Sequence, residues 1–140
     1  MNPLGDAIDG LLVVFAGLAQ LVDGPTTDNA TGDVIAVGVG VQDIPEIGTQ
    51  TRFSDMGGGQ RVVFEVPCLA RSWSGDNSVK VQRDRTLALL SAAQVRVEGD
   101  PQLSGRVSFA RWAGASYLPR RTDQAQLVVD APFRVEITVL

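Results

Sequence analysis

From Leu127 to Val139 every second residue is apolar: Leu127, Val129, Ala131, Phe133, Val135, Ile137 and Val139. Gln126, Asp130, Arg134, Glu136 and Thr138 fall on the other side. A period of two held this long specifies a β-strand with one buried face. It commits the chain to a sheet, and the sheet's apolar face needs a cover. Such a strand would reach about 43 Å at the usual rise, against about 17–20 Å for an ordinary strand. The expectation is that it bends at Pro132 or projects beyond the body of the domain, where it invites pairing with another chain.

The cover is sought in two helices. Leu11 to Val22 is apolar except for Gln20. It is too short for a bilayer span of about 20 residues, and its flank carries Asp6 and Asp9 instead of the basic start of a leader. It predicts a largely buried helix, capped by Asn2, with Pro3 in the first turn and Gly24-Pro25 as its stop. Its apolar surface is broader than one core stripe needs, so a second contact is expected on it. A second helix is expected from Asp76 or Asn77, as N-cap, to about Glu98. Its inward stripe is Leu87, Leu90, Gln94 or Ala93, and Val97; Arg83, Arg85 and Arg96 mostly take the other faces, and Gly99-Asp100-Pro101 ends it.

Further strands alternate at Ile35, Val37, Val39 and Val41, at Val62 to Ala70, and around Val107, Phe109 and Arg111. In the second of these, Pro67 suggests an edge position. Residues 42–60 read as a long connection, and Gly57-Gly58-Gly59 within it as a flexible arm or hairpin tip. A phosphate loop would need a helix after the glycines, whereas a strand follows. The order of elements predicts one domain over residues 1–140. Its class is α+β: a mostly antiparallel, mixed β-sheet with two helices packed on one face.

Of the 140 residues none is histidine, and Cys68 is the only cysteine. The commonest general base and metal ligand is therefore missing, and no intrachain disulfide is possible. Cys68, on the apolar side of its strand with no imidazole to activate it, reads as a small core residue. Glu65 and Glu136 invite comparison with a glycosidase pair, but Arg61 and Arg134 share their faces, which favours cross-strand ion pairs. Asp28, Asn29 and Asp33 read as a capping loop and not a calcium site. No metal, no cofactor and no catalytic residue is expected.

The net charge of −4 opposes nucleic-acid affinity. Its distribution is more informative than its size. Residues 1–51 hold seven acids and no base, whereas residues 52–140 hold twelve bases and nine acids. Two surfaces of opposite sign are expected, able to complement each other between neighbouring copies. Trp73, Trp112 and Tyr117 beside Arg120 and Arg121 resemble a stacking platform for single strands, but they lack a basic groove.

The middle of the chain carries a pattern of its own. A long strand feeds Ser74-Gly75-Asp76, then a helix with Arg83, Arg85, Leu89-Leu90 and Glu98. It closes in Asp100-Pro101-Gln102-Leu103-Ser104-Gly105 and enters a strand through Val107, Ser108, Phe109 and Ala110. With the tyrosine segment and the long final strand, nearly the whole chain resembles the tail terminator, or tail-to-head joining, proteins of long-tailed bacteriophages. The glycine-rich stretch from Ile44 to Gly59 departs from that pattern and leaves a neighbouring neck family open. The resemblance implies a structural virion protein at the tail–head junction, assembled in the host cytoplasm. It implies a hexameric ring of copies that caps the tail tube, ends tube polymerisation and presents a surface to the head connector. DNA would slide through its lumen without specific binding, and no membrane is involved. The alternatives are a head-closure or adaptor protein, a small-ligand carrier and, last, an enzyme. Contacts are expected at Gly57, Gly58 and Gly59, at Arg71 and Trp73, and at Trp112, Tyr117, Arg120 and Arg121.

Overall fold

The structure, a computed structural model, describes residues 3–23, 32–38, 49–56, 59–73, 78–121 and 127–139. Two helices, α1 (Pro3–Val14) and α2 (Val79–Gly99), accompany seven strands among the described residues. These are β1 (Gln20–Asp23), β2 (Gly32–Val37), β3 (Thr49–Met56), β4 (Gly59–Trp73), β5 (Phe109–Ala115), β6 (Leu118–Arg121) and β7 (Leu127–Val139). They form one sheet in the order β1-β2-β4-β7-β5, with β3 on β4 and β6 on β7; every pairing is antiparallel except β1 with β2. The fold is α+β, as the alternation and the two helical segments predict.

The long final strand neither breaks at Pro132 nor hangs free. It is matched by a still longer β4, and the two pair without interruption from Val62↔Val139 to Ser72↔Val129. This ribbon is the spine of the sheet. Each of its outer edges is shared by two shorter strands: β3 then β2 along β4, and β6 then β5 along β7. Both spine prolines sit where the flanking strand changes. Within a strand a residue's N–H and C=O point the same way. The Pro67 carbonyl accepts from the Gly38 N–H at 2.8 Å, and the Pro132 carbonyl from the Ser116 N–H at 3.0 Å. Each missing donor therefore faces a joint between two flanking strands, so neither proline costs a bond between β4 and β7. The edge position expected from Pro67 is thus corrected: β4 is central.

The apolar run after Leu11 does not stay helical. Helix α1 ends at Val14, and Gly17 takes a left-handed φ of 85° that turns the chain. Leu21 and Val22 then lie in β1 instead of the helix. The α1 C-terminus has no basic residue of its own. Arg96 of α2 supplies one, donating to the Val14 and Ala16 carbonyls at 3.1 and 3.2 Å. Arg96 is thus a bridge between the helices and not the solvent decoration expected of it.

Helix α2 starts one or two residues later than expected. Its N-cap is Ser78, whose hydroxyl accepts from the Val81 N–H; Asp76 and Asn77 lie outside the described residues. The inward stripe is Gln82, Thr86, Leu89, Ala93 and Val97, at spacings of four, three, four and four. Leu87 and Leu90 are only half-buried. Apolarity alone misplaces the stripe because it opens with two polar residues, of which Thr86 has polar partners on the sheet.

The two helices cover one face of the sheet. There Ile35, Val37, Phe64, Val66, Cys68, Ala131, Phe133, Val135 and Ile137 pack with Leu11 and Phe15 of α1 and with Leu89, Ala93 and Val97 of α2. Phe133 anchors the centre. Phe15 meets it edge-on at 5.9 Å and Trp112 stacks on it at 4.7 Å, each contact worth about 0.5–1.5 kcal/mol beyond the area it buries. Strand β2 ends at Val37; the expected continuation through Val39 and Val41 falls outside the described residues. The connection expected over 42–60 contains β3 and the start of β4, joined as a hairpin. The sequence TQTRFSDM lacks an apolar alternation, and its strand form comes from pairing with β4.

Candidate contact surfaces

Of the residues expected to make contacts, Gly57 and Gly58 lie outside the described residues. Gly59 opens β4 opposite Met56 at the hairpin end. The element that opens there is a strand, without the helix N-terminus a phosphate loop requires. Trp73 closes β4 opposite Gly32.

Arg71 is corrected outright. It is 2% exposed, and its Nε donates to Asp130 Oδ1 at 2.7 Å across the β4–β7 ribbon. A second donation, from Nη2 to Oδ2, is 3.4 Å long. An Arg held this way is part of the core and presents nothing to a partner. Trp112 is also inward, stacked on Phe133 and half-buried.

What remains gathers on one flank. Tyr117 is 48% exposed between β5 and β6, and Arg120 and Arg121 belong to β6, opposite Val128 and Leu127. Two exposed apolar residues join them: Phe109 at 50% and Leu118 at 40%. The register shows why. Ala110 and Trp112 share a face with Ile137 and Val135, which are core. Phe109 and Arg111 therefore point away from the helices, opposite Thr138 and Glu136. The alternation was legible around Phe109, but nothing local told which face was inward.

The same outward face carries the carboxylates considered for catalysis. Glu65 and Glu136 stand directly opposite each other. Arg134 Nη1 lies 3.9 Å from Glu65 Oε2, and Arg111 Nη2 lies 3.2 Å from Glu136 Oε1. The ion pairs exist, with Arg111 in a role the sequence reading gave to others. They separate two like charges that would otherwise repel across the strands, and at this exposure each contributes at most about 1 kcal/mol.

On the helix side, polar groups tie α2 to the sheet. Thr86 Oγ1 accepts from the Ser72 N–H at 3.3 Å and donates to the Val129 carbonyl at 3.0 Å. Ser72 Oγ donates to Asp33 Oδ1 at 2.6 Å, and Arg85 Nε donates to that Ser72 oxygen at 3.1 Å. Past the helix, the Asp100 carboxylate accepts from the Ser104 N–H and hydroxyl. This turn holds Leu103 and Ser104 at φ of 49° and 60° and buries Leu103 against α1.

Two grooves open to solvent run beside α2. One of about 440 Å³ is lined by Val13, Val14, Val95, Arg96 and Gly99, and one of about 310 Å³ by Leu18, Asp33, Arg85, Ala88 and Ala92. Cys68 is fully buried, and desolvation pushes its thiol up to about 12, against smaller opposing effects of the Gly38 backbone and Arg134. Among the described residues no group of three metal-ligating side chains comes together. No described helix is long and apolar enough to cross a membrane.

No family model matches the chain, and no curated protein matches it. Among solved structures, it is similar to a chain of the virion of a native gene transfer agent particle. The match has 14% identity and a TM-score of 0.34, over 91% of this chain and 84% of that one.

Proposed function

We propose that this protein is a tail-terminator-like structural component of a phage-type virion and works by contacts without catalysis. Copies form a ring, hexameric by the resemblance, that caps the tail tube, ends its polymerisation and joins it to the head connector while DNA passes through. One observation carries this reading. A long spine strand leads into a 21-residue helix, through the turn organised by Asp100 and into β5, and ends in a 13-residue strand. This is the order of elements on which the family resemblance rests. The surface chemistry supports the same reading. The carboxylates of the outward face are engaged by arginines, Cys68 is buried, and the grooves beside α2 are open where a small-ligand carrier would enclose its ligand.

The deciding experiment removes the gene from its phage. Loss of a terminator gives overlong tails unattached to heads. A head-closure or adaptor role predicts tails of normal length, and that result sinks the assignment. Mass measurement of the purified protein, alone and with tail-tube protein, is the biochemical counterpart; a monomer under every condition contradicts the ring.

A further inference from the structure

Two exposed stripes on opposite sides of the molecule match each other in chemistry. On α1, Asp6, Asp9 and Val13 recur at spacings of three and four and are all exposed, Val13 at 48%. The helix carries these two acids and no base. On the other side of the sheet, β5 presents Phe109 and Arg111 two residues apart, and β6 presents Leu118 farther along, opposite Asp130. Residues 109–121 contain three arginines and no acid. Arg111 meets Glu136 through one nitrogen and is 61% exposed, so its fork retains donors for a further carboxylate.

We infer that the α1 stripe of one copy packs on the β5–β6 face of the next, and that this is the joint between neighbouring copies. The inference rests on the ring reading above and specifies its contact. One chain cannot bring the stripes together, because α1 covers the face of the sheet from which Phe109, Arg111 and Leu118 point away. The contact is therefore between copies, and it is heterologous, the kind that propagates head to tail and closes into a ring. Backbone pairing along the β5–β6 edge is disfavoured by the register shift between Trp112 and Gly114, the φ of 131° at Gly114, and Pro119. Side chains carry the joint instead, as a helix stripe laid on a sheet face, with Val13 against Phe109 and Asp9 toward Arg111, pairs whose members lie four residues apart on α1 and two apart on β5.

The test uses the full chain and two cysteine variants, Val13→Cys and Phe109→Cys; the native Cys68 is buried and silent. A short bis-maleimide should give covalent dimers in the mixture of the two variants and at most traces with either alone. Equal cross-linking within one variant means a symmetric contact and overturns the inference. So do full-size assemblies with no mixed cross-link, which leave the ring reading intact. Conversely, mixed cross-links together with normal-length tails in phage lacking the gene retain the joint and overturn the function. As a second measurement, Asp9→Arg should weaken association about tenfold or more in low salt, and pairing it with Arg111→Glu should restore most of the loss. Unchanged assembly by Asp9→Arg counts against the joint.

Discussion

Arg71 and Asp130 form a buried ion pair between the two spine strands, Nε to Oδ1 at 2.7 Å, with side chains 2% and 3% exposed. They stand opposite each other in the β4–β7 ladder, on the face away from the helices. Val34 of β2 extends the row on one side and Leu118 of β6 on the other. Four strands are thus locked at one level by a pair that is far apart in sequence.

Breaking the pair from one side leaves a desolvated charge. Asp130→Ala should cost about 3–5 kcal/mol, whereas Arg71→Met with Asp130→Leu, which removes both charges, should cost much less or nothing. Urea unfolding of the two variants decides. Equal losses would mean that the pair itself, and not the orphaned charge, dominates.

Thr86 makes a narrower prediction. Its hydroxyl serves the Ser72 N–H and the Val129 carbonyl together. Thr86→Val keeps the shape and strands both groups, at a cost of about 1–3 kcal/mol. Thr86→Ser keeps the hydroxyl and should lose less. Hydrogen exchange at the Ser72 amide should speed up in the valine variant and stay slow in the serine variant.

These residues show what was legible in advance. The inward face of β7 was read correctly from Val129 to Ile137, because a strict two-residue period has one structural meaning. The end of α1 was not legible. Leu18, Leu21 and Val22 continue the apolar run past Gly17, and a buried helix and a buried strand look alike without periodicity. The α2 stripe is not readable from apolarity because it opens with two polar residues, Gln82 and Thr86, and Thr86 is buried through partners elsewhere in the chain. Arg71 reads as a contact at the end of its strand; its partner, 59 residues away, is visible only through the ladder. At the candidate surface, Tyr117 was anticipated. Phe109 is not readable as a contact because the inward face of an edge strand is set by its neighbour.

Gly10 sets two effects against each other. Alanine is the better helix former by about 1 kcal/mol. A Cβ at Gly10, however, would lie 2.8 Å from Leu103 Cβ and 3.2 Å from the Leu103 carbonyl oxygen, on a turn already held in the left-handed region. Neither neighbour is the free end of a flexible side chain, so overpacking of about 1–3 kcal/mol should win. Gly10→Ala is expected to lower the midpoint of unfolding. Gly99→Ala, where a Cβ meets nothing within 4 Å, should leave it unchanged or raise it. The same sign for both would refute the clash.

Cys68 gives a pH dependence whose sign is determined by its burial. Desolvation raises its thiol from 9.0 to about 12 in the folded protein. The neutral thiol is the form the core accepts, so its contribution is complete below pH 9.0 and is lost as pH climbs toward about 12. Over that window the loss approaches about 1.4 kcal/mol per pH unit, because the unfolded chain sheds a proton the folded chain keeps. Other groups titrate in the same range, so the informative quantity is the difference from Cys68→Ala. The variant should be less stable at pH 8, from the lost sulfur packing, and should fall less steeply between pH 9 and 11. Iodoacetamide at pH 8 should leave the folded protein unlabelled and label it fully in urea. Rapid labelling of the folded chain would place the thiol at the surface and remove the basis for the alkaline slope.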